Sequence, residues 1–228
     1  MAKSLRPRTF RRVDELLAER YGERHREPGD PLDTLVRTIL SQNTTDKNSV
    51  PAFRRLKESF PDWQEALEAG PAAIEQRIES AGLAPTKSRR IHAILRQLDD
   101  QRGDLSLAHV CDMQRQEAER YLCSFKGVGP KTAAIVLLFD CGMAFFPVDT
   151  HVHRVSRRLG WIDEGDSAED AYETLTDAVP EQLHLQLHLN MVRHGRETCH
   201  PSRPQCHDCV ISRFCDAYKS GEVEPRER

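Results

Sequence analysis

Four cysteines near the end of the chain limit what it can fold into more than any other feature. They follow the spacing C-x6-C-x2-C-x5-C, at Cys199, Cys206, Cys209 and Cys215. Four thiolates held in so short a segment can all reach one metal centre. Zinc proteins commonly pair two C-x2-C units, whereas this array contains a single one. The array predicts a lobe in which one metal centre cross-links the chain. The residues alone leave zinc and an iron–sulfur cluster as alternatives for that centre.

The rest of the composition predicts a globular cytoplasmic protein without membrane contact. The longest apolar run, Ala133–Phe139, is far too short to cross a bilayer. The first residues are basic and lack the apolar stretch of a signal peptide. Because structural disulfides are rare in the cytoplasm, we expect Cys111, Cys123 and Cys141 to be small buried hydrophobes.

The net charge of −3 does not by itself indicate a nucleic-acid partner, but the charges are segregated. Residues 163–181 hold eight acids and no base, whereas residues 126–158 hold five Lys or Arg against two Asp. A local basic face can bind phosphates while the whole chain stays acidic. The alternative is that these runs are only the solvated faces of helices.

Apolar residues recur at helical spacing along nearly the whole chain, which predicts an all-α protein. Leu183 to Met191 alternates like a strand, but Pro180 and the spacing of Leu185, Leu189 and Val192 favour a helix. The other predicted helical stripes are Phe10–Tyr21, Leu32–Leu40, Phe53–Phe60, Ile74–Ile78, Ile91–Leu98, Ala118–Phe125, Ala133–Leu138, Val152–Leu159 and Tyr172–Leu175.

A glycine-rich turn joins two of these helices, with the sequence Lys126-Gly127-Val128-Gly129-Pro130-Lys131. The glycines let backbone N–H groups approach a ligand without side chains between them. Pro130 begins the next helix, whose free N–H groups favour an anion. Such a turn can hold a phosphate without reading the base sequence. An ordinary turn between two helices is the simpler interpretation of these residues alone.

The order of several motifs resembles the helix-hairpin-helix superfamily of base-excision DNA glycosylases, and in particular its iron–sulfur members of the endonuclease III type. The resemblance runs from about Asp30 to Cys215. The matching segments are Leu40–Asp46 and Gly82–Ile91 (the two DNA-probing loops), Leu122–Ala134 (the hairpin), Pro147–Val155 (the catalytic aspartate) and His194–Cys199, which opens the cysteine array.

This resemblance implies a fold of two lobes with DNA lying across the cleft between them. Residues 24–143 would form a six-helix barrel that contains the hairpin at about 122–134. Residues 1–23 and 144–228 would form the lobe that carries the cysteines. The partner would be double-stranded DNA with a damaged pyrimidine or an abasic site, bound by a monomer associated with the nucleoid.

The resemblance also implies the chemistry. Lys131 would attack C1′ of an extruded nucleotide and form a Schiff base that leads to strand cleavage by β-elimination. Asp149 would assist departure of the base, either by stabilising positive charge on the sugar or by deprotonating the nucleophile. An attacking amine must be deprotonated, and the first turn of a helix disfavours a second positive charge. Taken alone, Lys131 would be a surface lysine that meets phosphate, and Asp149 a helix N-cap.

Further residues would contact the DNA. Leu83 would be the apolar wedge that enters the gap left by the extruded base, although core packing after a glycine turn is the alternative. Asn43 stands where many members place glutamine, so either Asn43 or Gln42 would fill that gap. The remaining expected contacts are Lys126, Gly127, Val128, Gly129, His151, Arg154, Arg196 and Arg203.

The spacing of the cysteine array matches the cluster loop of endonuclease III, which implies a [4Fe–4S] cluster with a structural role, and zinc as the alternative. Lys131 favours a lyase-competent enzyme over a monofunctional mismatch glycosylase, which usually lacks a lysine there. Two other classes stay open, a catalytically silent DNA-binding module and a redox-sensing iron–sulfur protein.

Overall fold

The structure is a computed structural model, and it describes residues 7–223. The chain ends at 1–6 and 224–228, which the predicted cysteine lobe includes, lie outside the described residues. Within 7–223 the regular structure is helical throughout, which confirms the all-α prediction. The α-helices are α1 Pro7–Tyr21, α2 Pro31–Ser41, α3 Asp46–Ser59, α4 Trp63–Ile78, α5 Ala84–Arg102, α6 Arg115–Cys123, α7 Pro130–Phe139, α8 Thr150–Leu159, α9 Ala168–Ala178, α10 His184–Glu197 and α11 Asp216–Lys219.

Several of these helices begin and end where the sequence indicates. The carboxylate of Asp30 accepts a hydrogen bond from the backbone N–H of Asp33, and Pro31 takes the first position of α2. Ser167 and Asp170 form a reciprocal capping box at the start of α9. The ambiguous leucine-rich segment is helix α10, as its spacing predicted.

Helix α4 begins earlier than the sequence predicted. The predicted stripe covered Ile74 and Ile78, whereas the helix starts at Trp63 and is broken at Gly70, where φ is +79°. Trp63 and Ala66 carry the buried face of its first half. Because the break shifts the helical register, one continuous stripe does not span both halves.

Contacts divide the chain into two compact units. The hairpin unit comprises residues 27–143, and the described part of the cysteine unit comprises residues 7–26 and 144–223. In the hairpin unit, α2 packs against α3 and α7, and α4 packs against α5. Helix α7 is apolar nearly all round, and most of its residues after Lys131 are buried, so it forms the centre of that unit.

The cysteine unit is built on α10, which packs against α1 and α8. The approach of α8 and α10 depends on Gly195, because a Cβ there would lie 2.7 Å from the Cβ of His151. A small cluster of buried Cys206, Ala217 and Val223 closes the C-terminal end of the described chain. The cysteine array is thereby packed against the ends of α8 and α10.

One expectation about the cysteines was wrong. Cys111 and Cys141 form a disulfide in the hairpin unit, with their Cα atoms 4.8 Å apart, and both are half-buried instead of fully buried. Cys123 is a free thiol, also half-buried. The sequence separation of 30 between Cys111 and Cys141 carries no spacing signal, since α6 and α7 bring the two together only in the folded chain.

Candidate functional site

The hairpin places Lys131 in the first turn of α7 with an exposed side chain. Gly127 takes a φ of +85°, a conformation that favours glycine, and Gly129 is the N-cap residue of α7. Val128 is buried and anchors the turn, while Lys126 is exposed. The geometry therefore offers the first N–H groups of a helix beside two exposed lysines, which is an arrangement suited to an anion.

A hydrogen-bond network connects this hairpin with the loop after α2. Arg90 donates from Nη1 to Oε1 of Gln42 at 2.6 Å, and Nε2 of Gln42 lies 3.4 Å from Oγ1 of Thr132. The side chain of Arg90 also lies over Gly127, where an added Cβ would be 2.1 Å from the guanidinium Nε. A side chain at position 127 would therefore be strained by the backbone conformation and would also displace the side chain of Arg90.

The two predicted probing residues share an unusual backbone conformation. Asn43 has a φ of +54° and Leu83 a φ of +52°, and both side chains are exposed. Leu83 is 59% exposed, so it does not pack in the core as the alternative interpretation proposed. A left-handed leucine is rare because its Cβ crowds the following carbonyl oxygen. At position 83 the backbone conformation alone would favour a glycine, whereas asparagine at position 43 tolerates it.

Lys87, which sequence reasoning did not single out, ties these two loops together. It is only 3% exposed, and its Nζ donates to the carbonyl oxygens of Leu40 at 2.7 Å and Ala81 at 2.9 Å. Burial, together with the nearby Arg90, lowers the pKa of this lysine. The ammonium satisfies carbonyl groups that the ends of α2 and of the 3₁₀ turn before Leu83 leave without helical partners.

Asp149 in the cysteine unit is the N-cap residue of α8. Its Oδ1 accepts hydrogen bonds from the backbone N–H groups of His151 at 2.9 Å and Val152 at 2.7 Å. These bonds fix the position of the half-buried carboxylate at the N-terminus of α8. The capping role and a chemical role are compatible, because a capped carboxylate has a defined direction.

Arg154 was predicted to contact DNA, and the structure places its guanidinium against protein backbone. It donates to the carbonyl oxygens of Cys199 at 2.9 Å, Gly195 at 2.8 Å and Thr150 at 3.3 Å. Burial lowers its pKa. These bonds hold the first residue of the cysteine array, and a DNA contact by Arg154 stays a prediction. The side chains of Arg196 and Arg203 are exposed, and that of His151 is half-buried.

The four cysteines of the array line one cavity in the cysteine unit, together with Arg158 and His194. Among residues 7–223, no group of three or more His, Cys, Asp or Glu is arranged so that it could hold a metal ion. Burial raises the pKa of the Cys209 thiol to about 12, and it raises the pKa of Cys206 and Cys215 in the same direction. Four cysteine thiols that line one cavity are groups that could supply thiolate ligands to a metal centre.

Arg158 is the second residue that sequence reasoning missed, and it is a cation buried beside these thiols. It is 6% exposed, and its Nη1 lies 3.2 Å from Sγ of Cys199. The same guanidinium donates to the carbonyl oxygens of His200 at 2.7 Å and Pro201 at 2.8 Å. A fixed positive charge beside Cys199 would partly offset the negative charge of the cysteine thiolates when they bind a metal centre.

Comparison with known proteins decides the family. The profile described as HhH-GPD superfamily base excision DNA repair protein matches residues 36–181, which include the hairpin and Asp149. This chain belongs to the HhH-GPD superfamily. The resemblance stated from the motifs is thereby confirmed.

Relatives of this HhH-GPD protein cover most of its length. Endonuclease III of Thermotoga maritima is 35% identical over 95% of this chain and 98% of its own. A protein of Arabidopsis thaliana described as putative DNA glycosylase At3g47830 is 39% identical over 84% of this chain and 67% of its own.

Solved structures of HhH-GPD proteins give the same fold. A non-covalent complex of endonuclease III with DNA superposes with a TM-score of 0.80, at 27% identity over 96% of this chain and 99% of that one. A thermostable thymine-DNA glycosylase superposes with a TM-score of 0.75 at 18% identity, over 93% of this chain and 98% of that one. The second likeness shows the fold alone.

The structure of this HhH-GPD protein brings together only some of the predicted residues. Gln42 is linked to the helix of Lys131 inside the hairpin unit, whereas Asp149 belongs to the cysteine unit. Their joint action at one deoxyribose stays a prediction. Within residues 7–223, no helix is both long enough and apolar enough to cross a membrane.

Proposed function

We propose that this protein is a bifunctional DNA glycosylase of base excision repair, which removes oxidised pyrimidines and cleaves the resulting abasic site. The observation that carries the proposal is Lys131, an exposed amine in the first turn of the hairpin helix of an HhH-GPD protein. A similar solved structure is a trapped covalent intermediate between endonuclease III and DNA, and a covalent bond to DNA is what an amine nucleophile would form.

Lys131 would act as a nucleophile that forms an imine with the sugar and is later released by hydrolysis. The Nζ lone pair attacks C1′ of the extruded nucleotide while the bond from C1′ to the base breaks, and the base leaves with that electron pair and a proton. The sugar ring opens as O4′ takes a proton, and the amine becomes an imine. Loss of a proton from C2′ then expels the 3′ phosphate, and water hydrolyses the imine to free Lys131.

Asp149 would stabilise the positive charge that develops on the sugar as the base departs. Its carboxylate is suited to this because hydrogen bonds from two backbone N–H groups hold it in one orientation. We assign Lys131 the covalent step and Asp149 the charge-stabilising step.

The DNA would be held mainly through its phosphates, and a base inside a duplex must be extruded before Lys131 can reach it. The N–H groups at Gly127 and Gly129 and the side chain of Lys126 would bind the backbone. Leu83 would wedge into the base stack, and we add Arg196 and Arg203 as phosphate contacts. The enzyme would act as a monomer on the nucleoid, in the cytoplasm.

The four cysteines would hold a [4Fe–4S] cluster that fixes the fold of the residues between Cys199 and Cys215. The cavity they line, the apolar surroundings and the buried Arg158 fit such a group. Its contribution would be structural, since a cluster joins four distant points of an irregular segment. Zinc bound by the same thiolates is the outcome that metal analysis would have to exclude.

Borohydride trapping on abasic duplex DNA tests the proposal, with Lys126 as a matched control because it is another exposed lysine of the same hairpin. We expect wild-type protein and Lys126→Ala to give a covalent adduct. Lys131→Ala should give none and should lose strand cleavage by at least about a hundredfold, while duplex binding stays within severalfold of wild type.

Other outcomes would select the other classes. Base release without an adduct would identify a monofunctional glycosylase, and binding without either reaction would identify a DNA-binding module. An adduct that persists in Lys131→Ala would remove the role assigned to Lys131. Equal activity and affinity with the cluster oxidised or reduced would exclude the redox sensor.

A further inference from the structure

Gln42 has a side-chain orientation that the structure defines without ambiguity. Arg90 can only donate hydrogen bonds, so the amide oxygen of Gln42 must face the guanidinium, at 2.6 Å. The amide NH₂ group therefore faces the other way, toward Oγ1 of Thr132 at 3.4 Å. Thr132 is the residue that follows Lys131 in α7. Gln42 thus presents a hydrogen-bond donor beside the helix that carries the amine.

Arg90 is itself held in place. Its side chain lies over Gly127, in the space that a Cβ at position 127 would occupy. The neighbouring Lys87 anchors the same helix to the carbonyl oxygens of Leu40 and Ala81. Rotation of the Gln42 side chain out of this network would leave Arg90 without the acceptor at 2.6 Å. The hydrogen bond to Arg90 therefore fixes the position of the Gln42 side-chain amide in the folded protein.

Asn43 differs from Gln42 in both the exposure of its side chain and the conformation of its backbone. Its side chain is exposed, and its backbone has a left-handed φ of +54°. Asparagine tolerates this conformation better than glutamine does, which explains the residue type. Asn43 is free to enter a gap in the duplex, whereas Gln42 would have to break its bond to Arg90 to do so.

We propose that Gln42 is a specificity-determining residue, which donates a hydrogen bond from Nε2 to a carbonyl oxygen of the extruded base, and that Arg90 positions it. Asn43 then faces the gap and the opposite strand. The proposal rests on the proposed function, because it assigns the base-reading group of that same site.

The chemistry of the amide defines the bases that it recognises. An NH₂ group carries two hydrogens, so the amide can donate to Thr132 and to one further acceptor. Thymine glycol and dihydrouracil both offer carbonyl oxygens at C2 and C4. An abasic site offers the sugar and the phosphates and no base. Gln42 should therefore matter for release of a base far more than for cleavage of an abasic site.

The test compares base release from a thymine glycol duplex with strand cleavage of an abasic duplex of the same sequence. Gln42→Glu is the sharpest variant, because a carboxylate can still accept from Arg90 but cannot donate to the base. We expect the ratio of base release to abasic cleavage to fall by about 10- to 100-fold for Gln42→Glu and Gln42→Ala. Arg90→Leu should lower the ratio in the same direction, and Arg90→Lys, which keeps a donor, should restore part of it.

Asn43→Ala is the matched control. It should change how base release depends on the base opposite the lesion, and it should change the ratio of base release to abasic cleavage less than the Gln42 variants do. Equal losses on both substrates in Gln42→Glu, or no loss on either, would overturn the assignment of Gln42. Wild-type protein that releases no base would instead overturn the proposed function, and this inference with it. Thermal unfolding of each variant shows whether the comparison is made on folded protein.

Discussion

At the scale of single residues, Leu83 combines two properties that stability alone would not select. It is 59% exposed, and its φ of +52° is strained for a leucine, at a cost of about 1–3 kcal/mol. Such strain is retained where the surrounding structure needs a particular side chain at a particular point. Lys87 holds the backbone just before it, so the apolar side chain is displayed on a fixed support.

Leu83→Asn separates these two properties. Asparagine accepts the left-handed conformation, so we expect the free energy of unfolding to stay the same or to rise by about 1 kcal/mol. The apolar wedge is lost, so base release should fall by at least about tenfold. Denaturant unfolding and single-turnover base release measure the two effects. A variant that is less stable and equally active would show that Leu83 serves packing.

Arg158 provides a second prediction at this scale. Arg158→Met keeps much of the volume and removes the cation that lies 3.2 Å from Sγ of Cys199. We expect metal affinity to fall by about 10- to 100-fold, as for other groups that contact metal ligands. Iron content and visible absorbance during dialysis against a chelator report the loss. Arg157→Met is the control, because it changes the residue next to Arg158 and removes only ion pairs to Glu164 and Glu222. This variant should retain its iron.

The sequence predicted the candidate residues that residue type and spacing alone can indicate, such as the cysteine array and Lys131 in its glycine turn. It did not predict Lys87, Arg90 or Arg158. Each of these is one basic residue among the many of a chain with 33 Lys and Arg, and its role comes from carbonyl, amide or thiol groups that only the tertiary fold brings to it. The disulfide between Cys111 and Cys141 escaped prediction for the same reason.

At the scale of elements, apolar periodicity predicted most helices because each one buries a single face. It missed the first half of α4, where the helical register changes at Gly70. Periodicity also does not reveal polar groups buried between helices. Asp14 on α1 is such a group, since it is 4% exposed and its Oδ2 accepts a hydrogen bond of 2.7 Å from Nε2 of Gln186 on α10.

Burial raises the pKa of Asp14, and this gives a pH dependence with a defined sign. Between the ordinary value of about 3.9 and the raised value, the folded protein binds a proton more readily than the unfolded chain. The contribution of Asp14 to stability therefore decreases as the pH rises through that window.

Asp14→Asn keeps an acceptor for Gln186 and removes the buried charge. Near pH 8 we expect this variant to be more stable than wild type by on the order of 1 kcal/mol, or roughly 2–4 °C in the unfolding midpoint. The difference should shrink as the pH falls and Asp14 becomes protonated. Glu19→Gln, an exposed acid on the same helix, should change little at any pH. A constant difference across pH would show that the charge of Asp14 is not its cause.

At the scale of the whole molecule, the four cysteines of the array and the amine of Lys131 belong to different units. The cysteine unit holds all four thiols of the array, whereas the hairpin unit has its own apolar core and its own disulfide. The irregular chain from Cys199 to Cys215 has few buried apolar side chains, so we expect it to depend on the proposed metal centre for its order. We expect no such dependence in the hairpin unit.

Removal of the metal should therefore loosen one unit and spare the other. We expect chelated protein, and the ligand variant Cys206→Ser, to lose amide protection over residues 194–223 in hydrogen-exchange mass spectrometry. The core helices of residues 27–143, above all α7, should keep their protection within about threefold. Cys123→Ser is the matched control, because this free cysteine lies in the hairpin unit outside the array. Equal loss of protection in both units would mean that the metal centre holds the molecule together as one cooperative body, and unchanged protection at 194–223 would mean that the array folds without metal.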